Sequence, residues 1–173
     1  MAEGFRRVIT GRNEAGRSVV VTDDRVGFGA LRAADFFKTT SAAASIAADD
    51  QLDAEGRSSL EPPPSGTIFR FFEIAPEAPV ESPEAAERAA AAAFAAANAI
   101  HCRVDTTRHP MMHTTASIDY VVLLSGEVSL LLDEGDELRL KPFDVVVQRA
   151  TNHYWINRGD EPALLMGVLV GAA

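Results

Sequence analysis

From residue 120 onward the chain repeats one pattern, a short apolar run rich in branched side chains followed by a turn. The runs are YVVLL, VSLLL, ELRL, DVVVQ and ALLMGVLV, and SG, DEGD, KPFD and NRGDEP are the turn signals that separate them. Runs of this length and spacing are strands, and a series of them builds a sandwich or a barrel. ELRLK alternates, which puts Leu138 and Leu140 inward and Arg139 and Lys141 outward. No helices alternate with these strands, and neither GxGxxG nor a P-loop occurs, which argues against nucleotide-binding α/β folds.

The first half is less regular. RRVIT and SVVVT flank the polar, glycine-bearing GRNEAGR, so residues 6–22 are expected to form a hairpin. ALRAADFF, residues 30–37, reads as a short strand or a turn of helix. Residues 38–66 are small, polar and proline-terminated, and read as a long surface loop. GTIFRFFEI, residues 66–74, reads as a strand with Ile68, Phe72 and Ile74 among its apolar residues.

An alanine-rich helix is expected over residues 83–100. Ser82 can cap it, Pro83 suits its first position, and Glu84 and Glu87 favour its positive end. Its large anchors are Phe94 and Ile100, which suits a peripheral cover rather than a core element. The expected organisation is one structural domain, with residues 1–103 as an N-terminal extension packing on a barrel formed by residues 104–173.

Composition narrows the partners. With 173 residues, 47% of them hydrophobic, the chain can bury a core. A net charge of −9 argues against nucleic acid and against anionic membranes, because both call for a basic surface. Cys102 is the one cysteine, so no internal disulfide can form, and it reads as a small apolar filler. MAEGFRRVIT has no apolar signal core, and no strongly apolar run reaches the ~20 residues that span a bilayer. A cytoplasmic protein is expected.

Two short motifs then carry a resemblance. MMHTTASIDYVVLLSG places His113, Asp119 and Gly126 in order, and GDELRLKPFDVVVQRATNHYWIN places Gly135, Pro142, Asp144, His153 and Asn157. Over roughly residues 104–172 the chain resembles the cupin superfamily of small double-sheet barrels, and within it the small single-cupin proteins of bacteria and fungi. In the first motif His113 takes the second histidine place and Met111 the first. Phe143 and Ala150 stand where glycines are usual. The resemblance implies an all-β fold, a cupin double-stranded β-helix (jelly-roll) barrel with an N-terminal β-hairpin extension and one Ala-rich helix.

It also implies a site. His113, Asp119 and His153 would be metal ligands, a two-histidine, one-carboxylate set suited to iron, with zinc, manganese and nickel also compatible. If residues 109–113 form a regular strand, His109, Met111 and His113 share one face. His109 would then shuttle protons. Met111, Thr115, Gln148 and Trp155 would line a substrate pocket. Tyr154 and Trp155 would face opposite ways, and Asn157 would bond backbone at the strand's end.

The activity implied is a metal-dependent enzyme acting on a small hydrophobic or aromatic organic acid or a polyketide-like compound. Decarboxylase, isomerase, lyase and dioxygenase chemistry all remain open. The alternative is a metal-free binding or carrier protein using the same pocket. Cupins commonly pair through edge strands, so a homodimer is expected, with the hairpin adding strands to its own sheet or to a neighbour's and so covering exposed edges.

Overall fold

Burial alternates residue by residue along the two longest strands of the second half, as it must where one sheet face is packed and the other is not. The computed structural model describes residues 5–26 and 59–172, so the expectations for residues 30–37 and 38–58 lie outside the described residues. Nine strands are described: β1 (Phe5–Arg12), β2 (Ser18–Val26), β3 (Thr67–Ile74), β4 (Ser117–Ser125), β5 (Val128–Leu132), β6 (Leu138–Leu140), β7 (Val145–Arg149), β8 (His153–Ile156) and β9 (Ala163–Gly171). One α-helix, α1 (Pro83–Ala96), and a 3-10 turn over Ile100–Cys102 lie between β3 and β4.

The strands form a six-stranded sheet in the order β2-β1-β7-β4-β9-β3 and a three-stranded sheet in the order β6-β5-β8. One apolar core joins them: Val8, Val121, Leu123, Val146 and Leu165 from the large sheet, and Val128, Leu130, Leu140 and Trp155 from the small one. The first half enters the sheet directly. β1 runs parallel to β7, and β3 pairs antiparallel with β9 along its whole length. The hairpin thus adds its strands to the chain's own sheet, one of the two expected arrangements, and β1 and β3 flank the central strands.

The helix begins as its sequence implies. Ser82 accepts a hydrogen bond from the Ala85 N–H, and Pro83 is the first helical residue. It ends earlier than expected, at Ala96, where Asn98 turns into the left-handed region with φ 53°. Phe94 is buried, but Ile100 is 51% exposed and anchors nothing.

Turn geometry accounts for three residues of the cupin motifs. Gly126 has φ 83°, and a Cβ there would lie 2.8 Å from Ala163 Cα. Gly126→Ala is expected to cost about 2–3 kcal/mol from backbone strain and overlap together, read as a lowered urea midpoint at unchanged slope. Phe143 and Ala150, which replace usual glycines, keep the glycine conformation, with φ 71° and 47°. Fold geometry is thus retained where the motif residue is not.

Candidate functional site

Polar residues are buried at one end of the barrel interior. On β4, Ser117 and Asp119 take the inward positions that Val121 and Leu123 hold further along. On β7, Gln148 follows Val146 on the same face and is the cross-strand partner of Asp119. Thr10 follows Val8 on β1, and His153 precedes Trp155 on β8. Because side chains alternate across a strand, all of these point into the interior that the apolar core fills.

The Thr151 carbonyl joins them. Gln148 Nε2 donates to it at 2.8 Å, and His153 Nδ1 lies 3.0 Å from it. Gln148 Nε2 also donates to Thr151 Oγ1, which is 3.0 Å from Thr10 Oγ1. His113 is bound to His153 by a single antiparallel bridge, with N···O distances of 3.0 and 2.9 Å. Cross-strand partners face one side, and the two imidazole centroids are 4.5 Å apart. His113 Nδ1 lies 3.0 Å from Met111 O. A carbonyl only accepts, so each Nδ1 carries the proton and each Nε2 keeps a lone pair.

Burial sets the charges. It pulls the His113 imidazole below its usual range and, with the charge of His113 adding to the effect, drives His153 down to about 3. Both rings are neutral at pH 7. Burial also pushes the Asp119 carboxyl up to about 6, against the Ser117 hydroxyl, the charge of Arg70 and the Thr115 hydroxyl, which pull it down. Asp119 Oδ1 and Gln148 Oε1 are buried without a hydrogen-bond partner. Each such atom costs about 1–3 kcal/mol, and these two lie on paired strands facing one interior.

The expected site residues divide. His113, Thr115, Asp119, Gln148 and His153 are brought to this polar end, with Thr115 accepting from the Ser117 hydroxyl at 2.9 Å. His109 is not. Residues 109–112 form a turn closed by Met112 N to His109 O at 3.0 Å, instead of the expected strand. The turn puts His109 against Tyr154, rings stacked at 4.2 Å, on the face that alternates away from His153. There its Nε2 meets Glu77 at 3.1 Å. Met111 packs beside Phe94 and Cys102, and Trp155 belongs to the apolar core. Asn157 Nδ2 donates to Ile74 O and Glu161 O, the backbone role expected of it. Two surface grooves of about 400 and 390 Å³ are lined by residues of the small sheet and the hairpin, and neither reaches a histidine.

Arg70, whose guanidinium donates to Ser59 O at 2.6 Å, is the charged neighbour of Asp119 that the sequence reading passed over. It lies in the inward series Ile68, Arg70, Phe72, Ile74, half-buried, and its charge acts on Asp119. A lone arginine on the apolar face of a strand was the available signal.

The imidazole pair suits a divalent ion. Both Nε2 lone pairs are free of protons, and both Nδ1 protons are fixed by carbonyls, the outer arrangement that metal-bound histidines favour. Among the described residues, the group of three such side chains whose ligand atoms all lie within 4.8 Å of one another is Glu61, His101 and Cys102. His113, Asp119 and His153 exceed that spread, and ligands of one small ion lie at most roughly 4.3 Å apart.

A two-sheet jelly-roll with its motif histidines and acid turned into the interior is a cupin barrel. The chain is similar to cupin-domain-containing proteins along nearly its whole length. It is 27% identical to the cupin-domain-containing oxidoreductase srdD of Neurospora crassa, across 98% of this chain and 78% of that protein. It is 40% identical over 62 residues to the cupin-domain-containing oxidoreductase fogC of Aspergillus ruber, which is 34% of this chain and 30% of that protein. A 48-residue stretch is 58% identical to phomopsin biosynthesis cluster protein C' of Diaporthe leptostromiformis, and spans 28% of this chain but only a quarter of that protein's length. No protein-family model matches the chain. No helix among the described residues is long and apolar enough to cross a membrane.

Proposed function

We propose that this cupin is an oxidoreductase of a small hydrophobic or aromatic organic acid, or of a polyketide-like compound bearing an acidic group. One observation carries the reading: a buried carboxyl with an orphaned oxygen, Asp119, shares the polar end of an apolar barrel with a neutral imidazole pair. The oxidoreductase class follows the names of srdD and fogC. An acidic group on the ligand would meet Arg70, and its donors would meet Asp119 Oδ1 and Gln148 Oε1. Asp119, with a carboxyl at about 6, would accept a proton from the substrate near neutral pH.

His113 and His153 would hold a divalent ion through Nε2, with iron, zinc, manganese and nickel all compatible with imidazole. Such an ion, when bound, supplies Lewis acidity toward a substrate oxygen. The protein's own residues do the rest. The carbonyls of Met111 and Thr151 fix the rings, Phe94 shields His113 at 5.3 Å, and the apolar core excludes water behind them.

The test is elemental analysis of untagged protein beside a His113→Ala, His153→Ala double variant, followed by oxygen uptake and product mass with a panel of aromatic and polyketide-like acids. Turnover by the parent and a loss of at least ~100-fold in the variant are expected. Tight binding of the same acids with no turnover under any metal would sink the enzyme and leave a carrier.

A further inference from the structure

A second constellation lies outside the motifs. Glu61 precedes β3, and His101 and Cys102 close the 3-10 turn after α1. Glu61 Oε2 is 2.6 Å from His101 Nε2, and Cys102 Sγ is 3.6 Å from that same nitrogen. All three ligand atoms lie within 4.8 Å of one another. Because Sγ and the carboxylate both approach one nitrogen, the group is not a relay in which the two ring nitrogens serve different partners. It is a convergence of a sulfur, a nitrogen and an oxygen on one point.

We propose that Glu61, His101 and Cys102 form a three-ligand site for a borderline-soft divalent cation of the zinc class, separate from the interior histidine pair. The distances fit such an ion. In tetrahedral zinc, sulfur and nitrogen ligands stand about 3.6 Å apart and nitrogen and oxygen about 3.3 Å. The sulfur–nitrogen edge is already at that length, and the carboxylate needs to withdraw only by roughly 0.7 Å. The scaffold is fixed on both sides. Glu61 Oε1 accepts from Ala116 N at 3.0 Å, so its other oxygen is the one left for an ion, and Cys102 O accepts from Thr114 N at 2.8 Å.

Charge and exposure agree with the geometry. Burial first, then the charge of Glu61, push the Cys102 thiol up to about 12. A thiolate and a carboxylate this close need a cation between them, so without one the thiol keeps its proton. Apolar Phe94, Ala99, Leu60 and Met111 wall Cys102 behind, while the His101 side chain is 64% exposed, which leaves one side open to solvent. On binding, Cys102 Sγ–H releases its proton to solvent, and Sγ, Nε2 and Oε2 each give a lone pair to the ion. Affinity then rises ~tenfold per pH unit for each proton released.

Cobalt(II) titration of the chelator-stripped full chain tests this. Cys102 is the one cysteine, so a sulfur-to-cobalt charge-transfer band in the near ultraviolet can come from nowhere else. One equivalent of cobalt with that band is expected, displaced by zinc. The band should vanish in Cys102→Ser and in His101→Ala, weaken at least ~tenfold in affinity in Glu61→Gln, and persist in the His113→Ala, His153→Ala variant. His101→Ala alters an exposed side chain and decides the matter if Cys102→Ser does not fold. Cobalt binding without the band, or a band that survives His101→Ala, overturns the proposal and leaves the interior-site reading untouched.

Discussion

Asp119→Asn is expected to make the protein more stable at about pH 7.5 while abolishing turnover. The gain follows from the sign of the shift. The carboxyl titrates at 3.8 in an unfolded chain and at about 6 when folded. Below the lower value it is neutral in both states and contributes nothing. Between the two, the unfolded chain sheds the proton and the folded chain keeps it, so stability falls as pH rises. Above about 6 the penalty is complete, ~3 kcal/mol at 1.4 kcal/mol per tenfold. Asparagine escapes it, less about 1 kcal/mol for an amide proton without an acceptor.

His113 and His153 act in the opposite sense. Buried neutral, they cost stability below the usual histidine range as the unfolded chain takes up protons. Asp119 does not figure among the groups that shift either ring, so their effect is common to both proteins and cancels in the difference. Urea midpoints for Asp119→Asn should therefore start slightly below the parent's near about pH 4, cross them as pH rises, and lie above them by about pH 8. A variant less stable than the parent at about pH 7.5 would mean that Asp119 is an ionised, well-paired carboxylate, and the orphaned-oxygen argument would be lost. Turnover should fall at least ~100-fold because the proton acceptor is gone. A residue that destabilises the fold while serving chemistry is what a functional site predicts.

Much of the barrel was legible because it rests on local rules. Short apolar runs bounded by turn signals gave β4, β5, β6, β7 and β9, and the glycine-bearing turn gave the β1–β2 hairpin. Ser82 and Pro83 set the start of α1 correctly, whereas its end depended on Asn98 adopting a left-handed conformation, which alanine-rich sequence does not announce. Pairing was not legible. That β1 lies parallel to β7 and β3 against β9 depends on contacts far apart in the chain, which no local pattern encodes.

The site divides in the same way. His113, Asp119 and His153 were found through motif position, and all three are turned inward. His109 was placed by assuming that a strand continued through it. Pro110 follows it, and a proline has no N–H for a strand ladder, so the backbone turned instead and sent the ring to the other face. Glu61 joins His101 and Cys102 across 40 residues of sequence. No spacing rule covers such a pairing, and only the folded chain displays it.

Trp155→Ala is expected to cost about 4 kcal/mol, a large part of the stability of a domain this size. Motif position suggested that Trp155 lines the pocket, whereas the structure packs it among Leu130, Val121 and Leu165 in the joint core of both sheets. His153 lies edge-on to it, with ring centroids 6.0 Å apart. A wall residue and a core residue predict different patterns. If it is core, Trp155→Phe should lower the unfolding free energy by about 1–2 kcal/mol yet keep affinity for any acid the parent binds within ~threefold. Circular dichroism is the suitable probe, since Trp155 is the one tryptophan and its loss removes the intrinsic fluorescence signal. A Trp155→Phe protein as stable as the parent but unable to bind would move the ligand deeper into the barrel, past His153, than the polar residues at its end imply.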